Sequence, residues 1–157
     1  MGRTRIKICG LTRAEDVRAA VDAGADACGF VLARSFRQVS LERLSELAAL
    51  VPPPVACIGV FVDADAEFVE QAVAVGRLSA VQFSGGESPF DCDRSPVPVI
   101  KTIAIGTDFG PERSEPFRGH AAALLLDTYH PHQAGGTAQT FDWRDVGELP
   151  GWAPVFV

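Results

Sequence analysis

Arg5-Ile6-Lys7-Ile8-Cys9-Gly10-Leu11-Thr12 is the stretch from which the fold is read. Ile6 and Ile8 alternate with Arg5, Lys7 and Cys9, a period-two pattern that predicts a short strand with two unlike faces. Gly10 permits a tight turn, and Thr12 with Glu15 has the spacing of a capping box at a helix start. A strand that hands a cysteine to a glycine turn just before a helix opens a βα unit, so Cys9 is expected at the strand's carboxyl end.

The same alternation continues outward. Ala14, Val17, Ala20 and Val21 recur at helical spacing and Gly24 supplies a stop. A strand over 27–31 follows, then a polar, basic segment over 33–39. Ser40 caps a helix with Leu44, Leu47, Ala48 and Val51 on one stripe, ended by Pro52-Pro53-Pro54. Further strands are predicted over 56–62, 80–83 and 99–105, with a helix over 64–75, and an apolar strand over 121–126 leads into Asp127. Segments 88–98 and 106–119 are rich in Pro, Gly and charge, which predicts shortened helices there. A helical patch over 143–148 and a strand begun at Ala153 complete the pattern. Alternating strands and helices predict a parallel sheet. The count is six βα units and the start of a seventh strand, an incomplete (β/α)8 barrel, since a full one takes about 200 residues or more and this chain has 157. The chain is therefore expected to stop about three quarters of the way round a barrel.

With 47% hydrophobic and 22% charged residues, residues 1–157 read as one globular domain, here a partial barrel. A net charge of −6 gives no general attraction to nucleic acid or to an anionic membrane. The expected partner is a small molecule, and an anionic one can still be held locally by an arginine or a helix N-terminus. No charged leader precedes an apolar core and no apolar run reaches membrane length, so a cytoplasmic location is expected. Cys9, Cys28, Cys57 and Cys92 contain no CxxC pair, which argues for reduced thiols and against a zinc ribbon or thioredoxin motif.

Candidate site residues lie where strands give way to loops. Cys9 suits a catalytic base where a positive group or helix N-terminus favours its thiolate, although a strand cysteine is more often a small buried hydrophobe, the reading given to Cys28 and Cys57. Asp127, at the end of an apolar strand, suits a general acid, and the dull alternative is a loop or helix cap. Arg37, in the loop after strand two, can grip a carboxylate through two parallel hydrogen bonds, and the dull alternative is a solvated surface arginine, a reading that covers Arg34 equally. Gly135-Gly136-Thr137 offers a backbone that can close over a ligand, or simply a turn. His130 and His132 have no evident third metal ligand.

Lys7-Ile-Cys-Gly-Leu-Thr12, Gly24-Ala-Asp-Ala-Cys-Gly-Phe30, Ser35-Phe-Arg37, Gly59-Val-Phe-Val62, Val81-Gln82, Leu124-Leu-Leu-Asp-Thr128, Gly135-Gly-Thr137 and Thr140-Phe-Asp-Trp143 run in order along nearly the whole chain. In this the chain resembles the phosphoribosylanthranilate isomerase family of tryptophan biosynthesis. The resemblance implies an Amadori rearrangement of N-(5-phosphoribosyl)anthranilate to an aminodeoxyribulose phosphate, with no metal or organic cofactor. It implies that Asp127 is the general acid on the furanose ring oxygen, Cys9 the general base at ribose C2, and Arg37 the receiver of the anthranilate carboxylate, with Gly135 and Gly136 in the substrate loop.

The chain also departs from the family pattern. Phe83-Ser84-Gly85-Gly86 stands where members commonly carry His-Gly after the strand-four glutamine, and Ala138 and Gln139 replace a common Gly and Lys. The glycine-rich phosphate loops expected after strands seven and eight lie beyond Val157. The rival expectation is accordingly an inactive or degenerate barrel that self-associates through open sheet edges. A metal-binding module built on His130 and His132 is a more distant one.

Overall fold

Seven parallel strands pair in the order in which the chain makes them: β1 (Lys7–Cys9), β2 (Ala27–Val31), β3 (Ala56–Phe61), β4 (Ala80–Phe83), β5 (Val99–Ile105), β6 (Ala123–Thr128) and β7 (Val155–Phe156). A computed structural model describes residues 3–105, 113–128 and 151–157. Between the strands run α1 (Ala14–Asp22), α2 (Leu41–Ala48), α3 (Ala66–Gly76), the short α4 (Pro89–Asp93) and a 3-10 turn (Glu115–Phe117). Sequential parallel pairing with crossover helices is the winding of a (β/α)8 barrel, of which these are seven strands.

The helices form where the sequence allows. Ser40 caps α2 by accepting a hydrogen bond from the Arg43 N–H at 3.1 Å, and Leu44 and Leu47 on its stripe are fully buried. Each such leucine contributes about 1.5–3 kcal/mol of apolar burial. The Gly24 N–H closes the end of α1 on the Val21 carbonyl at 2.9 Å. The proline-rich and glycine-rich stretches leave only five residues of helix in α4 and three in the 3-10 turn. One local expectation is corrected. The N-cap of α1 is Arg13, without a side-chain cap, because the Glu15 carboxylate pairs with the Arg13 guanidinium instead of folding back toward Thr12. The Thr12 carbonyl accepts from Arg43. The helical patch over 143–148 lies outside the described residues.

Alternation assigns the two faces of the sheet. Cys28 and Phe30 of β2, Phe61 of β3, Val81 and Phe83 of β4 and Val99 of β5 join the helix-side core with Leu44, Leu47 and Val69. Ile103, Ile105, Leu124 and Leu126 continue that outer layer. The residues between them, Ala27, Ile58, Ile100 and Ala123, meet on the inner face with Ala80, Leu125 and Phe156 against them. Curvature makes this contact possible. β1 and β4 are three places apart, about 14 Å across a flat sheet, yet Lys7 hydrogen-bonds Gln82 directly. β1 has one neighbouring strand, and Ile6 and Ile8, on the face opposite Lys7 and Cys9, are 51% and 40% exposed.

On the outer side, one ion pair from β5 fixes the loops at the carboxyl ends of β3 and β4. Lys101 of β5 and Glu87 are both buried and meet at 2.7 Å. The Lys101 amino group also donates to the Gly85 carbonyl at 2.7 Å, while the Glu87 carboxylate accepts from the Gly85 and Asp63 N–H groups, each at 2.9 Å. Every charge in this cluster is therefore satisfied. Removing one partner strands the other, so Glu87→Ala is expected to lower unfolding free energy by about 3–5 kcal/mol. Urea unfolding checks this, and a loss under about 1 kcal/mol, the scale of an exposed pair, contradicts it.

Candidate active site

The inner face places the sequence-predicted residues at the mouth end of the strands. Cys9 is the last residue of β1, on the Lys7 side of the strand, and is exposed. Its neighbour across the ladder is Gly29 of β2. A Cβ at Gly29 would lie 2.9 Å from the Cys9 Sγ and 3.1 Å from the Lys7 Cε, so the absence of a side chain there makes room for both. The chain then turns at Gly10, whose φ of +82° favours glycine, and the Gly10 and Leu11 N–H groups both donate to the Gly29 carbonyl, at 2.9 and 3.1 Å.

Arg37 lies across this turn. Its Nη1 donates to the Cys9 carbonyl at 3.1 Å, and a Cβ on Gly10 would come within 2.8 Å of its Cδ and Cζ. The loop is shaped by the Arg37 N–H donating to the Ser35 Oγ at 3.0 Å, and the guanidinium stacks 5.3 Å from the Phe36 ring. Its Nε is buried without a hydrogen-bond partner among the described residues. One corner of the guanidinium is thus held by the backbone while the Nε donor is unmet. Arg34 is exposed in the same loop. The structure brings Arg37 to Cys9.

Asp127 follows Leu124 and Leu126 of the outer layer by the odd step, so alternation puts it on the inner face with Ala123 and Leu125. It is half-buried, pairs in register with Ala104 of β5, and its Oδ1 accepts from the Thr128 N–H at 2.8 Å. Gly135, Gly136, Ala138, Gln139, His130 and His132 lie outside the described residues. Among the described residues no cluster of three or more His, Cys, Asp or Glu side chains is placed to hold a metal ion.

One feature of the inner face escapes the motif reading. Lys7 donates to the Gln82 Oε1, the Gln82 Nε2 donates to the Ser84 Oγ at 2.9 Å, and the Ser84 hydroxyl meets the Thr102 hydroxyl at 2.9 Å. The signal for it was present: Lys7, Gln82 and Thr102 are polar residues at the inward positions of otherwise apolar strands.

The other thiols differ from Cys9. Burial raises the pKa of Cys28, and burial, with a smaller contribution from Cys28, pushes Cys57 up to about 11. Burial also pushes Cys92 up to about 11. All three stay protonated near neutral pH and are covered by the core. Iodoacetamide at pH 7.5, followed by peptide mass mapping, is expected to modify Cys9 alone in the native protein and all four cysteines after denaturation. Modification of Cys57 or Cys92 at the Cys9 rate contradicts this.

Comparison with known proteins bears on the whole arrangement. Residues 6–155 match the sequence profile of the family described as N-(5'phosphoribosyl)anthranilate (PRA) isomerase. The N-(5'-phosphoribosyl)anthranilate isomerase of Chromohalobacter salexigens is 50% identical over 150 residues, a match covering 93% of this chain and 69% of that protein. The protein of the same name from Thiobacillus denitrificans is 44% identical over 141 residues, 89% of this chain and 69% of its own length. Among solved structures, phosphoribosyl anthranilate isomerase from Thermotoga maritima superimposes with a TM-score of 0.82 at 35% identity, covering 92% of this chain and 70% of that one. A second isomerase structure, in complex with reduced 1-(o-carboxyphenylamino)-1-deoxyribulose 5-phosphate, gives 0.74 at 34% identity, over 81% of this chain and 66% of that one.

Proposed function

The chain belongs to the N-(5'-phosphoribosyl)anthranilate isomerase family, and from that premise we propose that Asp127 and Cys9 rearrange N-(5-phosphoribosyl)anthranilate to 1-(2-carboxyphenylamino)-1-deoxyribulose 5-phosphate. This is an aldose-to-ketose isomerisation of tryptophan biosynthesis. A small phosphorylated anion as the partner and a cytoplasmic location belong to the same reading. The observation that carries the site assignment is Arg37, held to the Cys9 carbonyl with its Nε unpartnered beside the candidate base.

The chemistry needs an acid and a base at different places. The Asp127 carboxyl gives its proton to the furanose ring oxygen, the C1–O bond breaks, and the nitrogen lone pair forms a C1=N iminium. That electron demand acidifies the C2 proton, which the Cys9 sulfur removes. The C2–H electrons form a C1–C2 double bond, the iminium collapses to the amine, and the resulting enol becomes the C2 ketone on protonation at C1. β1 and β6 supply the two groups from well-separated strands of one inner face, which supports giving each its own side of the ribose. Arg37, gripping the anthranilate carboxylate, fixes the aromatic end close to Cys9. Gly135 and Gly136, outside the described residues, complete the proposal as substrate-binding residues.

The rival reading, an inactive fragment, is not favoured by a family match that runs through every strand. Loss of the substrate's anthranilate fluorescence measures turnover. Cys9→Ala and Asp127→Asn are each expected to lower kcat about 10²-fold or more without unfolding the chain. Arg37→Ala is expected to raise KM by about 10- to 100-fold, as loss of a charge-assisted pair requires. Near-wild-type kcat in either of the first two removes that residue from the mechanism.

Self-association through the β1 edge is proposed alongside, supported by the exposed Ile8 on that strand and Ile6 just before it. Sedimentation is expected to show a mass that rises with concentration and falls back in Ile8→Lys, whereas a monomer throughout contradicts it.

A further inference from the structure

The row of polar side chains across the inner face has a direction. Lys7 carries donors and no acceptor, so the group it meets on Gln82 must be the amide oxygen. That choice leaves the Gln82 Nε2 to donate to the Ser84 Oγ, just past the end of β4, at 2.9 Å. The Ser84 oxygen is then an acceptor from Gln82, and the Thr102 Oγ1, 2.9 Å away, is within reach of its proton. Each bond polarises the next in the same sense. Gln82 is buried, so its amide has no solvent to exchange partners with, while Ser84 and Thr102 are half-buried toward the mouth.

We infer that Thr102 is the donor end of this chain and positions the substrate by giving its hydroxyl proton to an oxygen of the pentose. Either hydroxyl of this pair can donate, and with Ser84 donating, Thr102 keeps its own proton to offer. It stands on the inner face of β5, two residues before Ala104, the register partner of Asp127. Two strand residues span about 7 Å, which sets the Thr102 hydroxyl one layer below the candidate acid on the neighbouring strand. Lys7, Gln82 and Ser84 act through Thr102 and are positioning residues. The chain therefore selects an oxygen acceptor at this point, a hydroxyl or carbonyl of a polyol chain, over an apolar group. The inference rests on the proposed isomerase reading, because that reading supplies the pentose.

The test titrates the full chain with reduced 1-(o-carboxyphenylamino)-1-deoxyribulose 5-phosphate by its aromatic fluorescence, recording Tm alongside. Thr102→Val, equal in shape and lacking the hydroxyl, is expected to weaken binding about five-fold at unchanged Tm, and Thr102→Ser to bind as the unaltered protein does. Lys7→Met frees the Gln82 amide to turn over, so it is expected to weaken binding by a similar factor, with no added loss in the Lys7→Met, Thr102→Val pair. Equal affinity of Thr102→Val and the unaltered chain overturns the inference and leaves the isomerase reading standing. So does a Thr102→Ser variant as weak as Thr102→Val. No binding by the unaltered chain overturns the isomerase reading and this inference with it.

Discussion

A polar side chain on the inside of a curled sheet must find its partner across the interior, and the Lys7–Gln82 hydrogen bond is where this protein meets that constraint. The two strands are three places apart, so the bond forms only because the sheet bends. Beneath it, Ala27, Ile58, Ile100 and Ala123 fill the interior with small and medium apolar groups that such curvature can accommodate. The same bend turns Cys9 and Asp127, on strands β1 and β6, inward from opposite parts of one surface. A flat sheet of identical sequence would keep both residues and bring no substrate between them.

The outer face does separate work. Phe30, Phe61, Leu44 and Leu47 bury the helices on the sheet and hold its curvature from outside, and the satisfied Lys101–Glu87 pair anchors the loops after β3 and β4. Alternation along each strand keeps the two tasks apart. In β5, Val99, Ile103 and Ile105 pack outward while Ile100 and Thr102 face in. A change on the outer face is therefore felt as stability, and a change on the inner face near the mouth as binding or catalysis.

Much of this was legible in the sequence. Parallel strands announce themselves by short apolar runs between helical stripes, and the seven described strands lie within a few residues of their expected positions because Gly, Pro and Ser mark their ends. Cys9 and Asp127 were found by position at strand ends, and Arg37 was chosen over Arg34 through the resemblance, with its contact to the Cys9 carbonyl now giving a physical reason. Local charge competition misled the reading at α1, where Arg13 captures Glu15. The polar chain from Lys7 to Thr102 was hidden for another reason: its four members come from three strands far apart in sequence, and no local pattern states which oxygen meets which hydrogen.

The account's central claim is that one curled face presents carboxylate receiver, base and acid to a single ligand. The direct measurement is a crystal structure of this chain with reduced 1-(o-carboxyphenylamino)-1-deoxyribulose 5-phosphate bound. The account predicts the anthranilate carboxylate against the Arg37 guanidinium, with the Cys9 sulfur and the Asp127 carboxyl on different sides of the pentose. A ligand whose carboxylate rests on another cation, or whose pentose lies outside the face shared by β1 and β6, contradicts it.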